Sequence, residues 1–255
     1  MKRSAIWSAV FLLAAATVAC GGAEETAEPA AEPAPASEAE LTGGGVAGED
    51  ESVAEPTGES GTLPLLDPNH PDANRQAPDR YRVAFDTTKG RIVVELHREW
   101  APLGADRFYN LVRAGYYDGN RFFRVLDGFI AQFGMNGDPA FNEAWDTAAI
   151  PDDPMGEMNT RGRLTFAHGG PDTRTTQLFI NLGDNLNLDN AGFPPFGEVI
   201  EGMGVIDSLY SAYGEGAPDG AGPSQGRIGA EGTPYLEREF PLLDYVEAAV
   251  VIAER

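Results

Sequence analysis

The chain has 255 residues, a formal net charge of −22 and a single cysteine. That length holds one sizeable domain with appendages. The acidity excludes nucleic acid as a partner, because neutralising phosphates takes clustered Lys and Arg, and one cysteine excludes an internal disulfide.

At the start of the chain, Met1-Lys2-Arg3 is basic, Ala5 to Ala16 is apolar, and Thr17-Val18-Ala19-Cys20-Gly21 follows. The apolar stretch falls short of the roughly 20 residues that span a bilayer. Small residues ending on the sole cysteine resemble a bacterial lipoprotein signal, in which residues 1–19 are removed and Cys20 becomes a lipidated N-terminus. That resemblance implies lipid attachment at Cys20 and a membrane partner through the anchor. It also implies a place in the cell envelope facing the periplasm, at the outer membrane by the Gly21 sorting pattern. An ordinary secretory signal is the alternative reading.

Residues 20–78 are a composition break, rich in Ala, Glu, Pro and Gly and almost without aromatic residues. Such a segment buries too little apolar area to offset its ordering entropy, so a disordered acidic tether is expected. The ordered domain is expected over 79–255. Tyr81 to Phe85 alternates, Thr87-Thr88-Lys89-Gly90 turns, and Arg91 to Leu96 reads as the return strand. Ala101-Pro102 opens a helix whose Ala105, Phe108 and Val112 share one face, with Gly115 as its stop. Further short strands are predicted at Gly162 to Phe166, Leu178 to Asn181 and Phe196 to Ile200. Gly202 to Tyr210 reads as a second helix and Leu243 to Ile252 as a closing strand. Many short strands with Gly and Pro turns and only two helices suggest a barrel or sandwich. Ser211 to Glu239 is glycine-rich and without periodicity; an ordered loop capping the barrel and a partner site both stay open.

The most informative stretch runs from Arg121 to Gly134, Arg-Phe-Phe-Arg-Val-Leu-Asp-Gly-Phe-Ile-Ala-Gln-Phe-Gly, and reads as two strands broken at Asp127-Gly128. It sets one fixed cation and one amide among large apolar side chains, with no nucleophile, metal ligand or general base nearby. That suits a reaction without a covalent step, in which an uncharged group is twisted in a dry pocket. A second block, Arg161 to Ala167 with Gly170-Pro171 and Thr176-Gln177-Leu178-Phe179-Ile180-Asn181, follows at a compatible spacing. The two together resemble the cyclophilin family of peptidyl-prolyl isomerases, over about Tyr81 to Glu254. The resemblance implies an all-β fold, an eight-stranded antiparallel barrel with a helix over each end, packed solid so that substrate lies in an outer groove.

It further implies a cofactor-free isomerase (a rotamase) that assists protein folding. Its partners would be proline-containing segments of unfolded or flexible exported polypeptides, and it would act as a monomer. A non-catalytic proline-binding module or chaperone is the runner-up. By the family pattern Arg124 and Gln132 match the catalytic cation and the glutamine that fixes the substrate backbone. Phe129, Ile130, Phe179 and Leu188 match the proline pocket, and Gln177 another groove-side glutamine. Ala167, His168 and Gly169 match a groove wall whose backbone pairs with the peptide, while Phe122, Phe133 and Phe166 are left as barrel core. Phe123 stands where many relatives have His, and Phe193 near a position that is often His or Tyr. Asn187 takes the place of a tryptophan that helps bind cyclosporin, so weak cyclosporin binding is expected.

Other motifs are rejected. His70, His97 and His168 lie far apart without metal-ligand spacing, His70 in the tether and His97 at a solvent-facing strand end. Asn185 to Asp189 suggests a calcium loop, but the required Gly is Asn190 and the bidentate Glu position is Phe196.

Overall fold

The computed structural model describes residues 67–255; the expected signal segment 1–19, Cys20 and the expected tether as far as residue 66 lie outside the described residues. Eight strands form one antiparallel sheet: β1 Arg80–Thr87, β2 Gly90–His97, β3 Arg124–Leu126, β4 Ile130–Phe133, β5 Arg163–Phe166, β6 Leu178–Asn181, β7 Pro195–Glu201 and β8 Val246–Glu254. Their order is β3-β4-β6-β5-β7-β2-β1-β8. The two outer strands meet around an Arg121–Tyr245 bridge. Phe122 N–H donates to Asp244 O at 2.9 Å and Val246 N–H to Asn120 O at 2.9 Å, curling the sheet into a barrel. The expected eight-stranded antiparallel fold is the observed one.

Alternation decides what each strand buries. Tyr81, Val83 and Phe85 of β1, Ile92, Val94 and Leu96 of β2, Val125, Ala131 and Phe133, Leu164 and Phe166, and Leu178 and Ile180 all point inward. They join Phe122 and Phe196 in one cluster that fills the interior, so the barrel has no lumen for substrate. The complementary residues, Arg124, Ile130, Gln132, Thr165 and Phe179, fall on the outer face. Asp127 and Gly128 make the β3–β4 turn as expected, Gly128 with φ +70° where a Cβ would be strained.

Helix α1 (Pro102–Arg113) covers one end of the barrel with Ala105, Phe108, Leu111 and Val112. Its N-terminus has no cap of its own. Asp153, 50 residues on, accepts from Leu103 N–H at 3.0 Å and Gly104 N–H at 2.9 Å. Five further helices follow, where one was expected: α2 Pro139–Asp146, α3 Asn187–Asn190, α4 Met203–Asp207, α5 Gln225–Glu231 and α6 Thr233–Glu239. Helix α4 is a shorter version of the expected second helix. Helices α5 and α6 lie in the stretch read as lacking periodicity. They hold together through a second cluster of Phe123, Ile228, Tyr235, Leu236 and Leu243, apart from the barrel interior.

The N-terminal boundary also moves. A 3-10 turn over Pro71–Asn74 and buried Ala73 and Ala77 pack residues 67–78 against α1, where the sequence suggested tether. Asp106 accepts from Ala77 N–H at 2.9 Å and Asn110 Nδ2 donates to Arg75 O at 2.7 Å, so side chains of α1 fix this segment. His70 accepts from Asp72 N–H and caps the turn; it is part of the fold. Two small apolar residues and a few backbone bonds leave no compositional mark, which is why the segment reads as linker.

Candidate active site on the outer face

Register brings the candidate residues into a row. Arg124 on β3 pairs with Gln132 on β4, Gln132 with Phe179 on β6, and Phe179 with Thr165 on β5. Because all four point outward, residues scattered over some 55 positions form one strip across the barrel wall. Along it runs a chain of side-chain hydrogen bonds. Arg124 Nη1 donates to Gln132 Oε1 at 3.2 Å, Gln132 Nε2 to Gln177 Oε1 at 2.9 Å, and Gln177 Nε2 to Gln225 Oε1 at 3.3 Å. A guanidinium can only donate, so it dictates which way each amide along the chain must face.

Beside this polar row sits a small apolar cluster separate from the barrel interior: Ile130, Phe179, Leu188 and Phe193, with Phe129 and Ala167 at its edge. The Arg124 guanidinium carbon lies 5.9 Å from the Phe129 ring centre, at the seam between the polar row and the apolar cluster. All the residues expected to line a proline pocket are therefore gathered in one place. Asn187 is exposed at the start of α3, one residue from Leu188.

His168 closes the far side. Its ring stacks on Phe193 with centres 3.9 Å apart. Nε2 lies 3.0 Å from Gly192 O and Nδ1 accepts from Gly170 N–H at 3.1 Å, an arrangement that only the neutral Nε2–H tautomer satisfies. Burial lowers the His168 pKa, which keeps it neutral near pH 7. Two of the wall's amides are engaged within the protein: Ala167 N–H donates to Gln177 O at 2.9 Å and Gly169 N–H to Thr173 Oγ1 at 3.0 Å.

One feature of the site was not anticipated. Glu215, in the glycine-rich stretch before α5, accepts from Arg124 Nε and Nη2 at 2.6 Å each, a bidentate pair. Arg124 is 8% exposed and Gln132 6% exposed. Burial raises the Glu215 pKa, but the hydrogen bonds and charge of Arg124 outweigh it and leave the carboxyl below its ordinary value of 4.5. Ninety-one positions separate the partners, and nothing in local sequence pairs them.

His97 differs from expectation as well. Alternation does put it on the outer face of β2, but Trp100 stacks on its ring at 3.9 Å and leaves it 4% exposed. Around it Arg82, Glu95, Glu198 and Arg163 pair in register across β1, β2, β7 and β5. His97 Nε2 lies 3.6 Å from the inner oxygens of both glutamates, and the three groups lie within 4.8 Å of one another, a donor set that could take a divalent cation. The outer oxygens are held by Arg82 at 2.8 Å and by Arg163, so the row already balances its two negative charges with two positive ones.

Burial, then the nearby Arg80, lowers the His97 pKa, against the opposing pull of Glu95, Glu198 and Glu99. For both His97 and the half-buried His168 the folded pKa lies below the unfolded value of 6.5. The unfolded chain therefore binds more protons as pH falls, and stability that is complete above 6.5 is lost on acidification. The urea midpoint should fall between pH 7.5 and 5, and the drop should shrink in a His97→Gln, His168→Gln double variant. A midpoint that stays flat or rises over that window would show that neither ring is held neutral.

The family model for cyclophilin type peptidyl-prolyl cis-trans isomerases matches residues 82–224, more than half of the chain. The chain is 37% identical over 142 residues to the peptidyl-prolyl cis-trans isomerase of Acinetobacter baylyi, covering 52% of this chain and 75% of that one. It is 30% identical over 181 residues to peptidyl-prolyl cis-trans isomerase B of Escherichia coli, covering 68% and 99%. A solved cyclophilin type isomerase of Cryptosporidium parvum, 21% identical, is covered over 99% of its length and 69% of this chain with a TM-score of 0.49. With a matching family model and relatives this similar over most of their length, the chain belongs to the cyclophilin-type peptidyl-prolyl cis-trans isomerase family.

Proposed function

We propose that the strip Arg124–Gln132, with the apolar cluster beside it, twists Xaa-Pro peptide bonds in exported polypeptides and so assists their folding. Peptidyl-prolyl isomerisation is the reaction of the family; what is proposed is which residues perform it and where. The amide's double-bond character sets a barrier of about 18–20 kcal/mol. In the twisted state conjugation is lost, the nitrogen pyramidalises, and its lone pair, no longer shared with the carbonyl, becomes a better hydrogen-bond acceptor. A fixed guanidinium favours that state over either planar ground state, which is the whole requirement for catalysis here.

The observation that carries this reading is the position of Arg124 at the seam, with Gln132 on one side and the Phe129 ring on the other. The proline ring would enter the cluster of Phe129, Ile130, Phe179, Leu188 and Phe193, where its burial excludes water from the carbonyl. Gln132 would hold the peptide backbone through its amide, with Gln177 fixing that amide in turn. Since the Ala167 and Gly169 amides are engaged, a peptide along the 167–169 wall would pair with the backbone groups that remain.

The location rests on the sequence: the basic start, the short apolar stretch and Cys20 at its end. No helix among the described residues is long and apolar enough to cross a membrane, so an anchor would have to come from elsewhere. A lipidated Cys20 would tie the domain to the membrane facing the periplasm, with the segment after it as tether. Metabolic labelling with a fatty acid analogue should mark the wild-type chain and leave Cys20→Ser unmarked. Equal labelling of both, or of neither, would remove the lipoprotein part of the proposal while leaving the isomerase part intact.

A further inference from the structure

We propose that Glu215 is a positioning residue for isomerisation, holding the Arg124 guanidinium in its working orientation, and that the glycine-rich stretch exists to deliver it. The proposal rests on the catalytic role of Arg124 argued above.

An arginine side chain has many rotamers, and a catalytic donor is effective only if its direction is set before substrate arrives. In this chain the guanidinium plane is fixed from both edges. Glu215 takes Nε and Nη2 at 2.6 Å, and Gln132 takes Nη1 at 3.2 Å. The same stretch grips the opposite end of the row, where Gln225 accepts from Gln177. The polar row is thus clamped at both ends by one segment, with Arg124, Gln132 and Gln177 between the jaws.

The segment is built to place that carboxylate. Its backbone closes on itself: Gly222 N–H donates to Glu215 O at 2.8 Å, Gly220 N–H to Gly216 O at 3.0 Å and Ala217 N–H to Gly222 O at 3.1 Å. Gly216 N–H donates to the Glu215 carboxylate itself at 2.9 Å. The glycines are there for close approach. A Cβ at Gly220 would stand 2.3 Å from Glu215 O, and one at Gly222 2.8 Å from it. Beyond the loop, Ser224 N–H donates to Tyr235 Oη at 3.0 Å, and α5 and α6 seat on Phe123 through Ile228, Tyr235 and Leu236. A run of glycines that looks like slack in the sequence is a tight loop presenting one acid.

The test uses the full chain in a protease-coupled isomerisation assay, with melting temperature recorded for every variant. Glu215→Gln keeps the shape and loses the charge. It should lower kcat about tenfold with KM little changed and the melting temperature somewhat lowered, since Arg124 loses its counter-charge, and Glu215→Ala should lower kcat further. Glu215→Asp should restore part of the loss. In an Arg124→Lys background, where no bidentate pair can form, Glu215→Gln should have no added effect. Wild-type kcat should be level from pH 6 to 9 and fall only in the acid range below about 4.5, with that acid limb absent in Glu215→Gln.

Unchanged activity in Glu215→Gln would overturn the proposal, and so would a loss confined to KM. Activity above wild type would overturn it too, because it would make Glu215 a plug that substrate must displace. Should Glu215→Gln fail to fold, the Arg124 Nε–H proton of the wild-type chain decides by NMR. Slow exchange with solvent supports the clamp, and exchange as fast as that of an exposed arginine refutes it. Arg124→Ala in the same assay separates the two levels. If it is inactive while Glu215→Gln matches wild type, only the positioning role fails; if it is fully active, the catalytic reading beneath it fails.

Discussion

Replacing Arg124 by alanine should reduce kcat/KM for an Xaa-Pro peptide about 100-fold, with most of the loss in kcat. Removing one preorganised donor aimed at developing charge costs roughly 100- to 1,000-fold in other enzymes, and tenfold corresponds to about 1.4 kcal/mol. The lower end is expected because the nitrogen that gains a localised lone pair on twisting acquires only partial negative charge, not a full one. KM should move little, since the apolar cluster of Ile130, Phe179, Leu188 and Phe193 grips the ring in every state of the reaction. Arg124→Lys should fall between, keeping the charge and losing the planar fork that meets both Glu215 and Gln132. Folding should survive, because a Glu215 carboxylate deprived of its partner is exposed enough to hydrate. Arg124→Ala within twofold of wild type would mean that the groove only binds proline segments.

The difference between this site and a bare strip of outer-face residues lies in what covers it. Phe123 is 2% exposed and belongs to the cluster beneath α5 and α6. A histidine there would put a polar ring under an apolar lid. The aromatic at 123, the glycines at 220 and 222 and the acid at 215 therefore depend on one another: α5 and α6 seat on Phe123, and the loop before them holds Glu215 in place.

These same residues show what a sequence can and cannot yield. Local rules carried the barrel: alternation at Tyr81 to Phe85 and Arg91 to Leu96, the Asp127-Gly128 turn and the helical face of Ala105, Phe108 and Val112 all appear as read. The outer strip was legible only through the resemblance, which assigns Arg124, Gln132 and Phe179 to the groove; a Phe in a strand such as Phe179 would otherwise read as barrel core. Helix α2 carried a signal that went unread, Asp138 capping it with Pro139 in its first turn. Helices α5 and α6 carried almost none. Each has seven residues with little intrinsic stability, and they persist because Ile228, Tyr235 and Leu236 are buried together. Burial of His97 by Trp100 and the Arg124–Glu215 pair depend on tertiary approach alone, which no periodicity encodes.

The largest loss of stability should come from a pair outside the site. Asp153→Ala should destabilise the domain by about 3–5 kcal/mol, since breaking a buried ion pair leaves an uncompensated charge inside. Arg174 is fully buried and donates to Asp153 Oδ2 at 3.0 Å; the Asp153 side chain is itself 1% exposed. Alanine would strand that guanidinium with Asp152 at 3.5 Å and the Pro151 carbonyl as its remaining partners. It would also release the Leu103 and Gly104 amides at the start of α1, which have no other cap. For a domain this size the melting temperature should fall by roughly 6–20 °C. Arg161→Ala provides the contrast. Its pair with Asp207 is nearly half exposed on both sides, and such surface pairs contribute about 1 kcal/mol or less. Adding Arg174→Met to Asp153→Ala should recover part of the loss, because an apolar side chain of similar length needs no counter-charge. Equal, small effects of Asp153→Ala and Arg161→Ala on the urea midpoint would show that the interior under α1 is wet, and that the pair there behaves as a surface contact.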